Sequence, residues 1–210
     1  MKILVAPSIL ASDFGRLNEE ISTVENAGAD LLHIDVMDGV FVPNLSFGLP
    51  VCKCINTKLP LDVHLMVKDP SLFIEGFSKL NTLRLYVHFE GNFDLREMLL
   101  EIVENGMKAG VVINPETEIS SILDVLDVAD SVMIMAVKPG FGGQKFQESV
   151  LFKIEELRAR NSLINIAVDG GINKETSELC RMKGANIMVA GSYIFNSLTR
   201  ELMIKNLRGE

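Results

Sequence analysis

Two stretches repeat one pattern of reactive side chains. His33-Ile-Asp35-Val-Met37 and Asp62-Val-His64-Leu-Met66 each set a histidine, a carboxylate and a thioether at alternate positions, with apolar residues between. Successive side chains of a strand point to opposite faces, so the polar set shares one face and the apolar set the other. One histidine–aspartate pair on a buried strand is usually a hydrogen-bonded core pair. Two copies, joined by Asp169 at the end of a later apolar run, suit a single metal-assisted site. His33, Asp35, His64 and Asp169 offer two imidazoles and two carboxylates. That donor set fits a borderline divalent ion such as zinc, iron or manganese, with room left for substrate oxygens. Such an ion stabilises the enediolate formed when a proton leaves the carbon beside a carbonyl. If one carboxylate takes that proton from one side and the other returns one from the opposite side, the configuration inverts.

Around this set the sequence supplies a shield and an anion cradle. Met37, Met66 and Met135 fall on the inward face by alternation, where they fill the core and can keep water from an enediolate. Gly140-Phe-Gly142-Gly143, Gly170-Gly171 and Gly191-Ser192 are glycine-bearing turns in which backbone N–H groups can approach a phosphate closely. Lys138 is the nearby cation, and Ser8 closes the first strand.

The elements that must position these residues alternate strictly. Apolar runs at 3–8, 31–36, 61–66, 83–88, 108–113, 131–137, 165–169 and 186–190 read as strands. Between them, helices are expected near 14–27, 50–56, 70–80, 94–105, 119–126, 149–160 and 174–183, with a last one near 199–206. Strands alternating with helices imply a parallel sheet. Eight such units across residues 1–210, with no linker or shift in composition, close most simply into a single-domain (β/α)8 TIM barrel. An open doubly wound sheet is the alternative, but no G-x-G-x-x-G follows the first strand. In a barrel the polar strand-end residues all fall at the C-terminal face, where such folds place their sites.

Composition narrows the partners. A hydrophobic share of 48% suits strands covered on both sides. A formal charge of −8 disfavours nucleic acid and anionic membranes. It also means that a phosphate must be held by local dipoles or a single cation. Apolar runs stay short of the roughly 20 residues that cross a bilayer. Pro7 and Ser8 interrupt the first apolar run, and Cys52, Cys54 and Cys180 show no disulfide spacing. A reducing, cytoplasmic setting is the expectation.

Taken together, the motifs resemble those of the ribulose-phosphate 3-epimerases. The matching stretches are Ser8-Ile-Leu, His33-Ile-Asp-Val-Met-Asp-Gly-Val-Phe-Val-Pro-Asn44, Leu61-Asp-Val-His-Leu-Met-Val67 and Val87-His-Phe-Glu90. They continue with Asn114-Pro-Glu-Thr117, Met135 to Phe146, Val168-Asp-Gly-Gly-Ile172 and Gly191-Ser-Tyr-Ile-Phe195, spanning nearly the whole chain. The resemblance implies a (β/α)8 barrel that interconverts D-ribulose 5-phosphate and D-xylulose 5-phosphate in the pentose phosphate pathway. It implies one divalent ion per subunit (Zn, Fe, Mn or Co) on His33, Asp35, His64 and Asp169, with Asp35 and Asp169 as the acid/base pair. Ser8, His64, Met37, Met66 and Met135 would surround the sugar, and Gly140, Gly142, Gly143, Gly171, Gly191 and Ser192 its phosphate. A homo-oligomer is implied as well.

The chain departs from the family pattern at Ala11-Ser12-Asp13, Asn81-Thr-Leu-Arg84, Lys138 and Tyr193, all outside the metal set. Same-mechanism epimerases of six-carbon sugar phosphates are the nearest rivals. Decarboxylases and synthases of related barrels carry an Asp-x-Lys-x-x-Asp strand, and the equivalent stretch here, beginning His33-Ile-Asp35, has no lysine. A barrel that binds its ligand without turning it over is a third reading, disfavoured by the two candidate acid/base carboxylates.

Overall fold

In the computed structural model, which describes residues 1–210, the expected strands form one eight-stranded parallel sheet. They are β1 Leu4–Pro7, β2 Leu32–Met37, β3 Leu61–Met66 and β4 Thr82–His88. β5 Lys108–Ile113, β6 Ser131–Met135, β7 Asn165–Asp169 and β8 Ile187–Ala190 complete the sheet. From β2 to β8 each strand pairs with its sequence neighbour, and β8 returns to pair with β1. The seam between β1 and β2 is narrower, made by a Ser8–His33 bridge and by the Asp30 and Leu31 N–H groups donating to Val5 O. The result is a (β/α)8 barrel.

Helices α1 Leu17–Asn26, α2 Leu49–Cys52, α3 Ser71–Ser78, α4 Leu95–Glu104, α5 Val150–Arg160, α6 Lys174–Lys183, α7 Ser192–Phe195 and α8 Arg200–Arg208 surround it. None is long and apolar enough to cross a membrane.

Two layers of burial follow from strand alternation. Outward residues such as Leu32, Ile34 and Val36 join a 46-residue apolar cluster between sheet and helices. Inward residues including Ala6, Tyr86, Val112, Met133, Ala167 and Val189 form a second cluster that fills the barrel. Gly110 belongs to this inner packing: a Cβ there would lie 2.1 Å from the Tyr86 ring.

Two expectations change. The 119–126 segment is a 3₁₀ helix over Ile119–Val125 rather than an α-helix, with Ile119, Ile122 and Val125 buried at its three-residue spacing. After β8 the chain does not wait until Thr199 to turn helical. α7 starts directly after Gly191, because Ile194 and Phe195 must be buried.

Candidate active site

Register, rather than alternation alone, builds the site. In the in-register pairing of β2 with β3, His33 lies beside Asp62, Asp35 beside His64, and Met37 beside Met66. Across the barrel Met135 lies beside Asp169. The two repeats of the sequence pattern therefore become adjacent walls. Asp35 stands at the centre: its Oδ2 accepts the Ser8 hydroxyl at 2.6 Å, and its Oδ1 lies 3.2 Å from His64 Nδ1 and 3.5 Å from His33 Nε2. Asp169 Oδ2 approaches His64 Nδ1 at 4.0 Å.

Buried polar contacts hold both imidazoles from behind. His33 Nδ1 lies 2.9 Å from Asp62 Oδ2, and the other Asp62 oxygen accepts Arg84 Nη1 at 2.9 Å. Arg84, 2% exposed, also donates to Asp130 from Nε and Nη2. On the other side His64 Nε2 sits 2.8 Å from His88 Nε2, and His88 Nδ1 sits 3.1 Å from Glu90 Oε2.

The two carboxylates sit in opposite electrostatic settings. Burial works to raise the Asp35 pKa, but the His33 charge and the close approach of the His64 imidazole outweigh it and hold Asp35 far below the usual carboxylate range. Asp169 has burial and the Asp35 charge acting together, and it rises to about 7. For His33, burial is outweighed by the charges of Asp35 and Asp62, so its pKa rises. Burial lowers His64 and takes His88 down to about 4.

The donor set fits a divalent ion. One ligand atom from each of His33, Asp35, His64 and Asp169 lies within 4.8 Å of all the others. His33 Nε2 is buried with no hydrogen-bond partner while Nδ1 is committed to Asp62. A buried polar atom without a partner is costly, and a cation shared with Asp35 would satisfy it.

Above this floor opens a cavity of about 840 Å³. Its lining includes Ser8, Asp35, Met37, Met66, Met135 and Asp169, and also Gly140, Gly142, Gly143, Gly171, Gly191 and Ser192. His33 and His64, each 0% exposed, lie beneath its surface. Gly171 adopts φ +65°, and a Cβ there would meet the Phe146 backbone N at 2.6 Å, so only glycine brings this turn to the cavity wall. The loop after β2 crosses the mouth, with Asn44 Nδ2 donating to Gly140 O at 2.6 Å.

A model of the ribulose-phosphate 3-epimerase family matches residues 4–195. The chain belongs to that family. It is therefore related to epimerases, which are isomerases. A Bacillus subtilis ribulose-phosphate 3-epimerase is 47% identical over 99% of both chains. A Synechocystis protein of the same name is 46% identical over 93% of this chain and 88% of its own. At the level of fold alone, a tryptophan synthase α-subunit from Pyrococcus furiosus superposes with a TM-score of 0.70 at 13% identity, covering 100% of this chain and 98% of its own.

Within the epimerase family pattern the structure sorts the departures. Arg84 is not a remote substitution, because it grips the carboxylate that grips His33. The Tyr193 hydroxyl is tied to Asn206 Nδ2 at 3.3 Å, though Tyr193 still borders the cavity. Lys138 faces a smaller neighbouring cavity with Glu90 and Asn114, so it is not part of the glycine cradle. Sequence reasoning assigned no role to His88 and Glu90. The signal was available, since His88 ends β4 on the inward face just as His64 lies near the end of β3.

Proposed function

We propose that this epimerase interconverts D-ribulose 5-phosphate and D-xylulose 5-phosphate, using one divalent ion (zinc, iron, manganese or cobalt) on His33, Asp35, His64 and Asp169. The observation that carries the reading is geometric: one ligand atom from each of His33, Asp35, His64 and Asp169 lies within 4.8 Å of the others, and two of these groups, the carboxylates of Asp35 and Asp169, line one cavity. A 1:1 inversion needs one group ready to accept a proton and a second ready to give one. The names of the relatives support the choice of sugar.

Bound at these ligands, the ion supplies Lewis-acid stabilisation of the charge that develops on the substrate oxygens. Asp35 takes the C3 proton, and Asp169 delivers one to the opposite face; the reverse reaction exchanges their roles. Ser8 holds Asp35 through its 2.6 Å hydrogen bond. Met37, Met66 and Met135, each 2–3% exposed, keep water from the enediolate. The amides of Gly142, Gly143, Gly171, Gly191 and Ser192 receive the phosphate, with Gly140 shaping the loop.

The test follows D-ribulose 5-phosphate by NMR in deuterated water with metal-reconstituted protein. Deuterium at C3 of the xylulose 5-phosphate product is expected, with both exchange and turnover lost in Asp35→Asn and Asp169→Asn. Bound sugar showing neither exchange nor product would refute the assignment. A six-carbon ketose phosphate processed faster than the pentose would refute the substrate.

A further inference from the structure

A third strand-end histidine has no part in the roles above. His88 is 2% exposed and sits between His64 and Glu90, with the Phe41 ring 4.8 Å from its own. The 2.8 Å between His64 Nε2 and His88 Nε2 admits one proton: two bare nitrogens repel, and two N–H groups collide. Glu90 decides which ring owns it. Its Oε1 accepts the Asn114 N–H at 2.8 Å and the Thr117 hydroxyl, and its Oε2 faces His88 Nδ1. An ionised carboxylate only accepts, so His88 Nδ1 carries a proton and, in the neutral ring, His88 Nε2 is bare. His64 Nε2 is then the donor, and His64 Nδ1 keeps its lone pair. That nitrogen faces Asp35 Oδ1 at 3.2 Å and Asp169 Oδ2 at 4.0 Å. A lone pair opposite two carboxylates is a poor hydrogen-bond partner and a good ligand for a cation shared with them.

We infer that His88 and Glu90 are positioning residues which hold the His64 proton on Nε2 and so present its Nδ1 lone pair to the divalent ion. This rests on the metal-dependent reading above and deepens it. Asp62 engages His33 Nδ1 in the same way from the opposite wall, leaving Nε2 with no hydrogen-bond partner. Each imidazole ligand is thus oriented by its own carboxylate, one directly and one through a second histidine.

Glu90→Gln tests the chain with almost no change of shape. The Asn114 N–H and Thr117 hydroxyl keep the amide oxygen where Oε1 was, so the new NH₂ must face His88. His88 then holds its proton on Nε2, which drives the His64 proton to Nδ1 and blocks the ligand position. Chelator competition with Zn²⁺ should show affinity about 10–100-fold weaker than wild type. Adding His88→Gln should restore it, because a glutamine amide occupies the Nε2 position and can turn its oxygen to His64.

In Zn²⁺-loaded wild-type protein carrying ¹⁵N-histidine, the shared proton should be bonded to His64 Nε2 and coupled to a bare His88 Nε2. Three results overturn the inference: a proton bonded to His88 Nε2, Glu90→Gln binding Zn²⁺ as tightly as wild type, or a loss that His88→Gln fails to restore. If Glu90→Gln does not fold, the wild-type spectrum decides alone. Wild-type protein that binds no Zn²⁺ overturns the metal reading along with it.

Discussion

Arg84→Met isolates the buried charge behind His33. Arg84 makes three hydrogen bonds, at 2.9 Å to Asp62 and at 2.9 and 3.1 Å to Asp130. Asp130 retains Lys108 at 3.0 Å and partial solvent contact, so losing Arg84 costs little on that side. Asp62 is 0% exposed and keeps only His33 as a side-chain partner. Methionine fills most of the volume, which leaves an uncompensated buried carboxylate as the main cost, about 3–5 kcal/mol. At about 2–4 °C per kcal/mol for a chain of this size, the melting temperature should fall by about 6–20 °C. Denaturant unfolding of the metal-free protein measures the free energy directly. The double variant Arg84→Met, Asp62→Asn removes the stranded charge and should recover at least half of the loss. A single-variant loss below about 1 kcal/mol, or a double variant no better than the single, would refute the buried-charge reasoning.

Three further substitutions probe the cavity. In metal-free protein, folded Asp169 keeps its proton to about pH 7, whereas the unfolded chain releases it near 3.8. Unfolding therefore releases a proton in that window, so wild-type stability should fall relative to Asp169→Asn as pH rises from about 4 to 7 and run parallel outside it; a difference independent of pH would contradict the raised pKa. Gly171→Ala must take a left-handed backbone and press on Phe146, so it should lose about 1–2 kcal/mol or more and weaken sugar-phosphate binding. Gly142→Ala meets nothing within 4 Å and should unfold within about 0.5 kcal/mol of wild type, any loss appearing in KM alone.

Much of the site was legible because the strand signal is local. Period-two alternation put His33, Asp35 and Met37 on one face of β2, and Asp62, His64 and Met66 on one face of β3. Eight alternating units implied the barrel, and the barrel implied which strand ends converge. The stretch at 119–126 reads as helix from its apolar spacing, but Ile119, Ile122 and Val125 recur every three residues, a spacing that a 3₁₀ turn serves as well as an α-helix.

What the sequence by itself determined is the identity and facing of the four candidate ligands, since alternation depends only on neighbouring residues. Tertiary structure alone decided their partners. Arg84 reaches Asp130 across 46 residues, His64 meets His88 across 24, and Asp35 stands beside His64 only because β2 and β3 pair without a shift of register at those positions. Which nitrogen of each histidine is left bare depends on such distant contacts, because a tautomer is set by what lies across a hydrogen bond and not by what precedes it in the chain.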